Sequence, residues 1–199
     1  VIPYCFENGN KICAYEFQGY WKDVGTLSSY WEANMELISL IPEFNLYEEY
    51  WRVYTKSESI PPQFIGKNGK VSGSIVGEET EIYGEVTNSV IGSDVVIGEG
   101  AVIKDSIIMN HTRIGDNAVI NKAVIAENCE IEDCVELGVF EEADNTVAPH
   151  IYNNGLVAVG QNSYIPYKVK VGKNVAIFGK TTPDDYPDRV LPSGEYLVK

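Results

Sequence analysis

Between Gly73 and Leu137 aliphatic residues recur in three columns. The first is Val76, Ile91, Ile108 and Ile125, the second Ile82, Ile97, Ile114 and Ile131, and the third Val86, Ile103, Ile120 and Leu137. The first two columns advance by 15, 17 and 17 residues, and the third by 17 throughout. Within one period neighbouring columns are mostly five or six residues apart, so each period holds three short strands separated by tight corners. Strands this short cannot bury a face alone. Stacked coils can, because each aliphatic side chain lies over its counterpart in the coil below while the backbones pair along the axis. The spacing therefore predicts a mainly β protein built around a parallel β-helix of hexapeptide repeats. Gly77, Gly92, Gly98 and Gly115 each follow a column residue directly, where the chain turns and a Cβ would obstruct it. Amphipathic helix is excluded, since runs such as 89–97 and 118–125 are β-branched and lack the i, i+3, i+4, i+7 pattern.

The period breaks after Leu137. Columns resume at Val159, Ile165, Val171 and Ile177, with Gly160 and Gly172 again following a column residue. The stretch near 138–156 is about one period long, but Glu141, Glu142, Asp144, Pro149 and Asn153-Asn154-Gly155 are turn and solvent chemistry. It reads as an inserted loop within a β-helix domain spanning 72–199.

Residues 1–44 differ in character. Lys11 to Tyr20 reads as a strand after a Glu7-Asn8-Gly9-Asn10 turn, and Thr26 can cap a helix from Leu27 to about Leu40. Leu27, Tyr30, Trp31, Met35 and Ile38 form a helical stripe, and Pro42 limits its end. A strand and one helix bury too little to stand alone. With no initiator Met and no evident partner for the stripe, 1–44 is expected to be the tail of a larger domain. Residues 45–71 form a connector with Tyr47, Tyr50, Trp51 and Tyr54 followed by Pro61-Pro62. A flexible linker would not carry so many aromatics, so they are expected to pin the connector to one domain and hold the two domains rigidly.

Composition narrows the partners. Fifteen basic against 29 acidic residues give a formal net charge of −14, which repels nucleic acid and anionic membrane on average. No apolar run is long enough to cross a membrane and no secretory leader is visible, so a cytoplasmic location is expected. Cys5, Cys13, Cys129 and Cys134 form no C-x-x-C pair, and reduced buried thiols are the favoured reading. From Ala123 to Tyr167 there are eight acids and no Lys or Arg, so that stretch offers no anion site.

The most specific motif is Tyr20-Trp21-Lys22-Asp23-Val24-Gly25-Thr26, followed by Ser29-Tyr30-Trp31-Glu32-Ala33-Asn34-Met35. A carboxylate before a glycine and a helix N-terminus is placed to hold a divalent metal beside a phosphate, although such an Asp more often serves as a turn acceptor. The motif resembles the segment closing the nucleotidyltransferase domain of bacterial glucose-1-phosphate adenylyltransferases. The order is also similar to that family's: this motif, an aromatic connector with Tyr50-Trp51-Arg52-Val53-Tyr54 and Pro61-Pro62, then a left-handed β-helix. Handedness comes from the resemblance and is an exception to the usual right-handed crossover.

The resemblance implies adenylyl transfer from ATP to α-glucose 1-phosphate, with release of pyrophosphate and supply of ADP-glucose to glycogen synthesis. It implies Asp23 as a ligand of Mg²⁺ and Trp21 beside the glucose phosphate, with Lys22 at a position where the family carries Lys or Arg. It also implies a homo-oligomer, a tetramer in the family, and a β-helix that serves assembly and communication with anionic effectors. Lys168, Lys170, Lys173 and Lys180, with Arg113 and Lys122, are basic candidates for effector contact, but no effector residue is assigned. The family's Gly-rich nucleotide loop, second metal carboxylate and substrate lysine have no counterpart in these 199 residues, so the chain alone is expected to be inactive.

Two alternatives remain open. Many hexapeptide proteins are acyltransferases with a histidine general base, a role for which His111 is the candidate. The family resembled also contains non-catalytic regulatory subunits, which Asp23 alone does not distinguish from active ones.

Overall fold

The computed structural model describes residues 1–52, 54 and 60–199. From Phe64 onward the chain winds into a three-sided parallel β-helix. Six strands stack on the first face, from Phe64–Ile65 to Tyr164–Ile165, seven on the second, from Lys70–Ser72 to Val190–Leu191, and seven on the third, from Ile75–Val76 to Tyr196–Val198. All pairings are parallel, and the register is that of the sequence columns: Ile82 pairs with Ile97, Ile97 with Ile114 and Ile114 with Ile131. The third column runs Val86, Ile103, Ile120, Leu137 and on to Val171 and Leu191. These side chains fill the interior and are buried.

The corners explain the sequence between the columns. Glu79, Asp94, His111, Asn128 and Asn162 stack along one corner, each with φ between 51° and 60°. Asn and Asp tolerate this left-handed conformation better than other residues with a Cβ, and recur there. Gly98 and Gly115 are required for closeness rather than for φ. The carboxylates of Asp116 and Asp133 in the next coil lie where their Cβ atoms would be. Those carboxylates accept the backbone N–H of Glu99 at 2.7 Å and of Asp116 at 2.8 Å, stitching coil to coil.

Strand Val157–Val159 pairs directly with Ala123–Ile125, so residues 138–156 leave the helix at one corner and return to it without forming a strand. The loop is fixed by two buried asparagines. Asn145 Nδ2 donates to the Asn174 carbonyl at 2.9 Å, and Asn174 Nδ2 donates to the Ala143 carbonyl at 2.8 Å. Past Phe178 the final coil replaces its first-face strand with two short 3-10 turns, Pro183–Asp185 and Pro187–Arg189. Between them the ring of Tyr186 enters the end of the core, its hydroxyl 2.7 Å from Thr181 Oγ1.

The N-terminal region corrects three expectations. No strand forms over Lys11 to Tyr20, because no neighbouring strand among the described residues takes up its backbone groups, and Lys11 to Gly19 are exposed. A short helix, α1 (Ile2–Glu7), precedes it, with Pro3 in its first turn. The second helix, α2 (Leu27–Leu37), forms as expected but ends earlier, and its stripe does have a partner. Leu27, Tyr30, Trp31 and Met35 pack on Ile107 and Val124 of the third face and on Leu156 at the end of the inserted loop. Among the described residues Tyr47, Tyr50, Trp51 and Tyr54 of the connector are exposed, and Asn45 and Glu48 side chains accept the backbone N–H groups of Tyr47 and Tyr50 in local turns. Val53 and residues 55–59 of that connector lie outside the described residues. Docking of α2 holds the N-terminal region against the β-helix, whose first strands, Phe64–Ile65 and Lys70–Ser72, already begin within 45–71.

Among the described residues no helix is long and apolar enough to cross a membrane. The four cysteines are free, but only Cys129 is buried, its thiol donating to the Gly160 carbonyl at 3.1 Å, and Cys13 is exposed.

Candidate functional site

Trp21 and Asp23 sit in the segment leading into α2. Thr26 caps the helix: its hydroxyl oxygen accepts the Ser29 N–H at 3.1 Å, and Ser29 Oγ accepts the Thr26 N–H at 3.1 Å. This is a reciprocal capping box with serine in the place usually held by Glu or Gln. Three residues earlier, Asp23 Oδ1 accepts the Gly25 N–H at 3.1 Å, which makes a tight turn before the cap. Asp23 is exposed, and Trp21 is 77% exposed.

A cleft of about 380 Å³ is lined by Trp21 with Tyr20, Lys22, Glu36, Ser39, Ile41 and Glu43, and Asp23 is not part of its lining. Its wall is a small polar network. Tyr20 Oη donates to Glu36 Oε2 at 2.9 Å, Lys22 donates to Glu36 Oε1, and Lys22 Nζ lies 3.3 Å from Glu32 Oε2. The Lys22 ammonium and the Tyr20 hydroxyl hold the Glu36 carboxyl below its usual range, and Glu36 in turn raises both Lys22 and Tyr20. Tyr20 also stacks on Phe44 with ring centroids 5.7 Å apart. Lys22 is thus engaged by two carboxylates of α2. Glu32 lies within the motif segment and Glu36 just beyond it. Their signal was an i, i+4 pair of glutamates on α2 beside the apolar stripe.

Among the described residues no group of three or more His, Cys, Asp or Glu is clustered to hold a metal, and Asp23 stands as a single carboxylate.

The remaining candidates are scattered. His111 is a corner residue whose Nδ1 lies 2.8 Å from Asp94 Oδ2, and Arg113 Nη2 lies 2.7 Å from Asp94 Oδ1. His111 and Arg113 hold the Asp94 carboxyl below its usual range. Lys122 lies over the Trp31 ring at 5.2 Å. Lys168 and Lys170 line a groove with Arg189, but Lys170 is paired to Glu136 at 2.8 Å. The basic residues therefore do not converge on one pocket.

Comparison with known proteins fits this division. Residues 1–39 match the nucleotidyl transferase family, and residues 61–159 match the GlmU-like C-terminal hexapeptide family. The chain is 63% identical over 199 residues to the glucose-1-phosphate adenylyltransferase of Lachnospira eligens. It is 50% identical over the same length to that of Thermotoga maritima and 41% to that of Acetivibrio thermocellus. In each case the alignment takes in 100% of this chain and 47% of the relative, so the chain spans about half the length of the curated relatives it matches. With a transferase motif docked on a hexapeptide β-helix and this identity along all 199 residues, the chain is similar throughout to about half of a glucose-1-phosphate adenylyltransferase.

Proposed function

We propose that, in the full-length protein, this chain closes the site at which adenylyl is transferred from ATP to α-glucose 1-phosphate. The products are ADP-glucose, a donor for glycogen synthesis, and pyrophosphate. The observation that carries the reading is the pairing of similarity to glucose-1-phosphate adenylyltransferases along all 199 residues with an exposed Trp21 that lines a cleft and an exposed Asp23 two residues further on. Trp21 offers a flat apolar face for the sugar phosphate. Asp23 supplies one carboxylate whose Oδ1 accepts only the Gly25 N–H. That suits Mg²⁺, which takes one or two carboxylates and completes its shell from phosphates and water. When bound, Mg²⁺ would offset charge on the phosphates as the sugar phosphate oxygen attacks the α-phosphorus in line.

The 199-residue chain alone is inactive in this reading, and the β-helix supplies the surface for assembly into a homo-oligomer in the cytoplasm. The test is pyrophosphate release and ADP-glucose formation by the full-length protein, its Asp23→Asn variant and the isolated chain. Activity in the full-length protein, a loss of about a hundredfold or more in Asp23→Asn, and none in the isolated chain are expected. A fully active Asp23→Asn protein, or an active isolated chain, would refute the reading.

A further inference from the structure

The side chains of the motif divide into two sets. Tyr20 and Lys22 both end on the carboxylate of Glu36, one on each oxygen. Trp21 between them and Asp23 after them are exposed. One carboxylate, on the penultimate residue of α2, therefore fixes two residues of the segment while their neighbours stay exposed.

The anchor is itself anchored. The neighbouring face of α2 packs on Ile107, Val124 and Leu156 of the β-helix, and Ser28 Oγ donates to Asn153 Oδ1 at 2.6 Å. Glu36 thus ties the segment to a helix held by the β-helix, whereas Asp23 itself is held only by its bond to the Gly25 N–H. Without Glu36, Lys22 retains Glu32 at 3.3 Å, but the Tyr20 hydroxyl loses its acceptor.

We infer that Glu36 is a positioning residue for the proposed transfer site: by gripping Tyr20 and Lys22 together it sets the direction in which Trp21 and Asp23 are presented. Lys22 accordingly serves as an internal strut, with its charge met by Glu36 and Glu32. A misplacement of about 1 Å in a reacting constellation can cost a hundredfold in rate, so a tether of this kind has leverage without touching substrate.

The inference rests on the adenylyltransferase reading, and the test separates the two. In the full-length protein, Glu36→Ala, Glu36→Gln and Asp23→Asn are compared with wild type by KM for glucose 1-phosphate, kcat, Mg²⁺ half-saturation and thermal melting. Glu36→Ala is expected to raise KM for the sugar phosphate and the Mg²⁺ half-saturation about tenfold with melting unchanged. Glu36→Gln keeps an acceptor for Tyr20 and Lys22 and should recover most of that loss. Wild-type values in Glu36→Ala, beside a disabled Asp23→Asn, would overturn the positioning role alone. A fall in activity matched by a fall in melting temperature and not recovered by Gln would assign Glu36 to folding and also overturn it. A wild-type protein that forms no ADP-glucose would overturn the functional reading and this inference together.

Discussion

The indole Nε1–H of Trp31 donates to the backbone carbonyl of Asp105 at 2.8 Å, across 74 residues of sequence. Asp105 is a corner residue with φ of 50°, and Lys122, one coil on at the same corner, lies over the other side of the contact with its ammonium 5.2 Å from the Trp31 ring. One side chain of α2 thus reads two successive coils.

An isolated helix of 11 residues is marginal in water, so α2 depends on this docking. Trp31→Phe keeps most of the packing and loses the hydrogen bond, at a cost of about 1 kcal/mol. Trp31→Ala should cost about 2–3 kcal/mol, less than a fully buried aromatic because the ring is half-buried. Hydrogen exchange of the α2 amides should quicken roughly fivefold in the first variant and more than thirtyfold in the second. Unchanged protection of α2 in Trp31→Ala would show that the helix does not rely on this contact.

Neighbours in one strand should respond very differently to truncation. Val119 and Ile120 are adjacent on the second face, yet Val119 is 38% exposed and Ile120 is fully buried between Ile103 and Leu137. Ile120→Ala leaves a cavity between coils and should cost about 2–5 kcal/mol. Val119→Thr should stay within about 0.5 kcal/mol. Denaturant midpoints of the two variants check the pair, and equal losses would mean that the columns do not form the core.

The columns were legible because a spacing of 15 to 17 residues recurs in successive coils from Val76 to Leu137, and repetition averages away local noise. The same logic extends to Val159, Ile165, Val171 and Ile177, all interior. Lys11 to Tyr20 misled because alternation and a turn signal describe a strand's side chains but say nothing of whether a neighbour exists to pair with it. Tyr50 and Trp51 of the connector are exposed in this chain, and apolarity alone does not name the surface that would cover them. At the candidate site the motif drew attention to Trp21 and Asp23, whereas Glu36, 13 residues beyond Asp23, gains its meaning only when α2 folds back on the segment. Tyr186 was invisible in the same way, since two left-handed residues, Asp188 and Arg189, and two prolines fold its coil into a cap that follows no repeat.

Glycine at the corner after Ile114 is a requirement of contact. A Cβ on Gly115 would meet Asp133 Oδ1, the Asp133 amide nitrogen and the Glu132 carbonyl carbon. Gly115→Ala should therefore destabilise by about 1–3 kcal/mol. Adding Asp133→Ala should not restore stability, since two of the three obstructing atoms are backbone and the Asp116 N–H loses its acceptor. Thermal melting of both variants tests this, and recovery in the double variant would place the obstruction in the carboxylate alone.

Alkaline pH should loosen the C-terminal cap. Burial pushes the Tyr186 phenol up to about 12, and the hydrogen bond to Glu132 pushes Tyr164 up to about 12 as well. The ordinary tyrosine value is about 10, so the folded state holds these protons more tightly than the unfolded one. Their contribution is fully present below pH of about 10 and is lost as pH climbs toward about 12. Tyr186→Phe cannot ionise, and Thr181 Oγ1 keeps its bond to the Tyr164 carbonyl at 2.6 Å, so the neutral-pH cost is about 1 kcal/mol. Melting temperatures measured from pH 8 to about 11.5 should fall more steeply in wild type than in Tyr186→Phe, which lacks the Tyr186 share of the slope. Parallel curves would mean that the Tyr186 hydroxyl titrates as freely in the folded cap as in the unfolded chain.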